Sequence, residues 1–186
     1  MRSWALVQTV QANGVCAEVL APAPNASAAT IAKASEIALR VADGLGVTGV
    51  LAVELFETTD ERILVNELAM RPHNSGHWSI EGSVTSQFEQ HLRAVLGWPL
   101  GNPAMITPAA VMINLIGERR APGTPHGIER ALAVPGAYIH VYGKAMSGRG
   151  RKMGHVTALG ATMADAERVA TDAAGAIHFG AGHEDA

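Results

Sequence analysis

Two short, largely apolar runs open the chain. Residues 4–11 and 15–20 read as two strands around Ala12-Asn13-Gly14, and an Asn-Gly pair between such runs predicts a two-residue hairpin turn. Pro22 and Pro24 end the second run. Ile31, Ala34, Ala38, Val41 and Leu45 then recur at steps of three and four, which predicts a helix with one apolar face, stopping near Gly44 and Gly46. Residues 50–56 form a nearly all-apolar strand with Glu54 as its lone charge. A polar turn at 58–62 leads to a returning strand at 63–68, again with one acid inside it, Glu67. Ser86-x-x-Glu89 is a capping box, followed by an apolar face of Phe88, Leu92, Val95 and Leu96 and stopped by Gly97 and Pro99.

Residues 100–108, with Gly101, Pro103 and Pro108, carry the strongest boundary signal. The expected division is 1–100 and 101–186. Beyond it the pattern predicts strands at 110–116, 137–142 and 156–159, a Pro/Gly-rich turn at 121–127, a basic glycine-containing loop at 143–152 and a final helix at 164–177. Strands and helices mix without a strict βαβ rhythm, so the expected class is α+β.

Composition narrows the function classes. With 186 residues, 48% hydrophobic, the chain can bury a core. A formal charge of -3 gives no global basic footprint for nucleic acid. The single cysteine, Cys16, excludes an internal disulfide and points to a reducing, cytoplasmic setting. No apolar run approaches a membrane span, and the N-terminus lacks the apolar core of a signal peptide.

Candidate chemistry concentrates in NELAMRPHNSGHW, residues 66–78. Glu54 and Glu67 sit mid-strand on adjacent segments, where a carboxylate is costly unless it is paired, metal-bound or turned to a wet face. If the two converge, hard oxygen ligands of this kind suit magnesium on phosphate oxygens; the alternative is a solvated sheet face. Arg71 offers a planar fork for a carboxylate, bicarbonate or phosphate, or a salt bridge to Glu67 or Glu81. Pro72 holds it extended. His73 and His77 have a zinc-like spacing, but Asn74-Ser75-Gly76 between them is a turn, and anion binding by His73, Asn74 and Ser75 fits better. Trp78 reads as packing. A second cluster, YGKAMSGRGRKMGH at 142–155, sets Lys144, Arg149, Arg151 and Lys152 among glycines, as a phosphate cradle or a solvated basic loop. His140, His155, His178 and His183 read as packing or surface.

NELAMRPHNSGHWSIEGSVTSQFEQHLRAVLGWPLG, residues 66–101, resembles the end of the ATP-grasp domain of the 5-(carboxyamino)imidazole ribonucleotide synthases. VMINLIG at 111–117 and RKMGH at 151–155 extend the resemblance in order. It implies the C-terminal half of an ATP-grasp domain followed by a small mixed β/α domain. It further implies an ADP-forming carbon–nitrogen ligase of purine biosynthesis, which carboxylates 5-aminoimidazole ribonucleotide with bicarbonate through carboxyphosphate. Position by position, Glu54 and Glu67 would hold magnesium on the phosphates of ATP, with Asn66 beside the nucleotide. Arg71, His73 and Asn74 would handle the bicarbonate-derived anion. Lys144, Arg151 and Lys152 would bind the ribonucleotide phosphate, with Ser75 a further substrate contact. The basic loop MSGRGRK is one residue longer than usual, which leaves Arg149 unassigned. The family's N-terminal substrate domain, glycine-rich loop and phosphate-gripping lysine have no counterpart here, so the chain is expected to be inactive alone. Its expected partners are a homodimer mate and a chain supplying the missing half, with neither nucleic acid nor membrane. Two alternatives stay open: a piece of the formate-dependent glycinamide ribonucleotide transformylase, or a non-catalytic remnant serving as a binding or assembly module.

Overall fold

The computed structural model describes residues 1–180. Among these residues, eleven strands and five helices follow in chain order. They are β1 (Gln8–Ala12), β2 (Val15–Ala21), α1 (Ala28–Gly44), β3 (Ala52–Glu57), β4 (Ile63–Ala69), α2 (Ser79–Gly82), α3 (Gln87–Val95), β5 (Ala109–Ile116), β6 (Ala121–Pro122), β7 (Pro125–His126), α4 (Ile128–Leu132), β8 (Ala137–Val141), β9 (Met146–Ser147), β10 (Lys152–Gly160), α5 (Met163–Gly175) and β11 (His178–Phe179). The mixture is α+β, as the pattern predicts.

The chain divides into two compact units, Met1–Gln8 with Ala21–Ile106, and Thr9–Leu20 with the chain from Thr107 on. These units differ from the expected segments 1–100 and 101–186 in two respects: the boundary falls after Ile106, and one stretch changes sides, which sequence spacing cannot show. The first hairpin counts with the second unit, because β2 is hydrogen-bonded beside β5 in a sheet ordered β1-β2-β5-β10-β8. Its turn is the predicted one: Asn13 (φ 52°) and Gly14 (φ 77°) both take positive φ, as a type I′ turn requires. The first strand is shorter than expected and begins only at Gln8.

In the second unit, β10 pairs antiparallel with β5 on one side and β8 on the other. The helix α5 packs on β5 and β10. It starts at Thr162, whose hydroxyl accepts from the Asp165 amide, and turns Ala166, Ala170 and Ala173 inward. Small residues let the helix lie close to the sheet. Leu115, Met153, Val156, Ile177 and Phe179 fill one cluster with Ala131 and Ala173, and Val111, Ala158, Ala166 and Ala170 build another. Where pattern reading predicts a loop up to 152 and a strand only from 156, β10 runs for nine residues from Lys152. Gly154 is why the close pairing is possible: a Cβ there would run into the His140 carbonyl oxygen on β8. Gly154→Ala is expected to destabilise the chain by about 2 kcal/mol through overpacking against backbone, read as a fall in denaturation midpoint at unchanged slope.

The first unit is built differently. The β3–β4 hairpin packs against α1, which is capped by Ser27 accepting from the Thr30 amide. Between the hairpin and α3 lie a 3-10 turn, Asn74–Gly76, and the short α2, so helical structure resumes before the expected Ser86. The capping box does open α3: Ser86 accepts from the Glu89 amide. Its predicted apolar face, however, points to solvent. Phe88, Leu92, Val95 and Leu96 are exposed (41%, 58%, 47% and 56%), whereas the inward residues are Gln87 and Gln90. Periodicity shows that a helix has an apolar side, and it does not show what lies against that side.

Candidate active site

The β3–β4 register sets Glu54 directly opposite Glu67. Residues opposite one another in an antiparallel pair project from the same face, so the two carboxylates share one side of the hairpin. The pairing then shifts: the next pair is Leu55 with Val65, leaving Asn66 as an extra residue in β4. Such a bulge re-aims a side chain, and here the Asn66 amide donates to Glu54 Oε2 at 3.3 Å. The other oxygen, Oε1, lies 3.7 Å from His73 Nε2. Glu54 is therefore half-buried and held from two sides, while Glu67 is exposed.

Past the strand, Arg71 is exposed and its guanidinium donates to the Pro72 carbonyl at 3.2 Å. Among the described residues no carboxylate pairs with it, so the alternative salt bridge to Glu67 or Glu81 is not formed. His73 begins the 3-10 turn in extended backbone (φ −118°, ψ 151°) and accepts the Ser75 amide on its ring. The Ser75 hydroxyl lies 2.8 Å from the same Nδ1. Because Nδ1 accepts from an amide, a neutral His73 ring carries its proton on Nε2, the atom facing Glu54. Ser75 thus spends its hydroxyl and amide on orienting His73. Asn74 sits at the head of the turn. The His77 ring has partners of its own: its Nδ1 is 2.8 Å from Gln87 Nε2 and its ring stacks on Phe88 at 5.5 Å. Among the described residues no three His, Cys, Asp or Glu side chains converge as a metal centre. Trp78 is fully buried packing, as its pattern suggests.

Two carboxylates on one hairpin face offer hard oxygen donors, with the Asn66 amide nitrogen orienting one of them. Such carboxylates would suit a hard divalent cation such as magnesium.

In the second unit the basic loop ends as β10 begins. Lys144 lies over the Tyr142 ring, 5.4 Å from its centroid, and its ammonium donates to the Lys152 carbonyl. Burial pushes the Lys144 ammonium below its ordinary range, and the neighbouring Arg151 and Lys152 charges push the same way. Like charges gathered at one place are relieved by an incoming phosphate. Arg149 and Arg151 are exposed and Lys152 is half-buried. Sequence reasoning missed the support beneath this cluster. Tyr142 Oη is 2.9 Å from Nδ1 of the buried His155, whose ring stacks on His140 at 4.4 Å. The YGK and RKMGH motifs hold Tyr142 and His155 but carry no local sign that the two meet. His178 Nδ1 lies 3.6 Å from Glu118 Oε1, at the surface, and His183 falls outside the described residues.

The family profile described as the ATP-grasp domain matches residues 1–88, and the phosphoribosylaminoimidazole carboxylase C-terminal domain matches residues 110–169. The N5-carboxyaminoimidazole ribonucleotide synthase of Mycobacterium tuberculosis is 53% identical over 165 residues, which is 87% of this chain and 38% of that protein. That of Corynebacterium ammoniagenes is 49% identical over 91% of this chain and 43% of its own length. Among solved structures, the synthetase from Thermus thermophilus superposes with a TM-score of 0.81 at 42% identity, covering 98% of this chain and 48% of that one. The Aspergillus clavatus enzyme, determined with ADP and 5-aminoimidazole ribonucleotide, gives 0.80 at 40% identity, covering 88% and 44%. The chain thus spans less than half the length of these relatives. It carries an ATP-grasp segment followed by the family's C-terminal domain, and it belongs to the N5-carboxyaminoimidazole ribonucleotide synthase family.

Proposed function

We propose that this chain forms part of an ATP-dependent ligase that carboxylates 5-aminoimidazole ribonucleotide with bicarbonate by way of carboxyphosphate. The observation that carries the reading is the hairpin register: Glu54 and Glu67 stand opposite one another at the start of the segment that presents Arg71, His73 and Asn74. Phosphoryl transfer asks a protein mainly for positioning and charge neutralisation, and these residue types supply both. Glu54 and Glu67 would hold magnesium, which when bound neutralises charge on the nucleotide phosphates. Asn66 steadies Glu54 and lies beside the nucleotide. Arg71 grips the bicarbonate-derived anion with its fork, while His73 and Asn74 border the same anion and Ser75 keeps the His73 ring aimed. Lys144, Arg151 and Lys152 receive the ribonucleotide phosphate. The Aspergillus clavatus relative, whose structure holds ADP and 5-aminoimidazole ribonucleotide, supports the nucleotide and the ribonucleotide as ligands.

The exposed apolar face of α3 supports a second copy of this chain as a further partner. Among the described residues no helix is long and apolar enough to cross a membrane. The test is a phosphate-release assay with ATP, bicarbonate and 5-aminoimidazole ribonucleotide. The chain alone is expected to show negligible turnover. Joined to the N-terminal half of the Mycobacterium tuberculosis relative, it should reach turnover on the order of 1 per second, dependent on both co-substrates. Absence of that dependence in a folded, joined protein would sink the reading.

A further inference from the structure

The segment bearing Arg71 and His73 rests on one buried amide. Gln87, the first residue of α3, is 3% exposed. Its Oε1 accepts from the His73 amide at 2.8 Å, and its Nε2 donates to the His73 carbonyl at 2.8 Å. The remaining Nε2 proton points to His77 Nδ1, also at 2.8 Å. The side chain therefore imitates a neighbouring β-strand for a single residue, taking both backbone groups of His73. Gly76 lies flat on the same amide: a Cβ there would sit 2.6 Å from Gln87 Oε1. The Gln87 backbone amide in turn donates to Ser79 Oγ, which donates to the Gly76 carbonyl.

We propose that Gln87 is a positioning residue for the anion-handling loop, fixing His73 in extended backbone and, through the rigid Pro72, setting where the Arg71 fork stands. The inference rests on the functional reading given above. Three observations carry it. A buried polar side chain is tolerated only when its hydrogen bonds are satisfied, and those Gln87 makes to protein go to the loop's two histidines. His73 is the loop residue whose ring reaches Glu54. And α3 turns its glutamines inward and its apolar residues outward, so its inner face is devoted to holding backbone rather than to burying hydrocarbon.

The same helix supplies a control. Gln90, one turn on, makes the same two-bond clamp on Gly101, accepting from its amide at 2.7 Å and donating to its carbonyl at 2.9 Å. Gly101 lies outside the loop. Gln87→Met and Gln90→Met each keep the side-chain length and remove one clamp. Both are expected to lower the denaturation midpoint. In the joined enzyme, Gln87→Met should lower kcat on the order of 10²-fold with little change in the KM for ATP, the size expected when a reacting group is displaced by about 1 Å. Gln90→Met should leave kcat within about twofold. Gln87→Glu, which keeps the acceptor for the His73 amide and loses the donors, should fall between wild type and Gln87→Met. Hydrogen exchange on the chain by itself gives an arm that does not depend on activity: Gln87→Met should deprotect the His73 amide and spare Gly101, and Gln90→Met the reverse. Equal kcat losses in the two methionine variants, or an unchanged His73 amide in Gln87→Met, overturns the proposal. An inactive joined wild type counts against the functional reading, and the exchange arm then decides this one. If Gln87→Met does not fold, Gln87→Glu decides in the same kinetic assay: a kcat equal to wild type overturns the proposal.

Discussion

Removing both hairpin carboxylates, Glu54→Gln with Glu67→Gln, is expected to cost the joined enzyme on the order of 10³-fold in turnover, about 4 kcal/mol, and to abolish its response to magnesium. The amides keep the shape of both side chains and discard the charge that a hard cation needs. The single variants should differ. Glu67 is exposed, and Glu67→Gln removes a ligand and little else. Glu54 also receives the Asn66 amide and faces His73, so Glu54→Gln should disturb the loop as well. Titrating turnover against magnesium in each single variant separates the two effects: both midpoints should rise, and Glu54→Gln should lose plateau rate in addition. Unchanged midpoints in both would remove the metal from this hairpin.

Arg71→Ala carries the second large effect. In the joined enzyme it should cost on the order of 10²-fold in kcat/KM, about 3 kcal/mol, comparable to losing a preorganised donor to a developing charge. Arg71→Lys should recover only part of this, because a point charge cannot replace two parallel donors in a plane. Stability should hardly change. The side chain is exposed, pairs with no carboxylate among the described residues and donates only to the neighbouring Pro72 carbonyl. Denaturation curves run beside the kinetics give the check. An Arg71→Ala protein that loses stability while its folded fraction keeps full activity would make the arginine structural.

Several features of this chain can be read from a handful of neighbouring residues, and the sequence by itself determines them. The Asn13-Gly14 turn is fixed by which residues tolerate positive φ. The start of α3 is fixed by a hydroxyl three residues from an amide it can reach. The β3–β4 hairpin, and with it the candidacy of Glu54 and Glu67, follows from two apolar runs separated by a short polar turn. The polar density of residues 66–78 marks the loop as chemically busy, since a chain seldom places so many donors and charges beside a strand without a use for them.

The tertiary structure alone decided what those features meet. Period-2 patterning cannot say where a register slips, and the extra residue Asn66 brings a third side chain to the acidic pair. Lys152 falls in the expected loop, and Gly154 and His155 lie outside the expected strand, because glycine and charge are poor strand formers, yet pairing with β5, and from Gly154 on with β8 as well, overrides local propensity. The first hairpin joined the second unit because strand order in a sheet is a long-range choice. Most consequential is α3. Its amphipathic pattern was legible, but the inward face proved to be the glutamine side, because the groups it meets there are the backbone amides and carbonyls of His73 and Gly101, which ask for hydrogen bonds rather than hydrocarbon. Hydrophobic spacing records where apolar surface lies along a helix. Only packing shows which side holds the candidate site together and which faces outward.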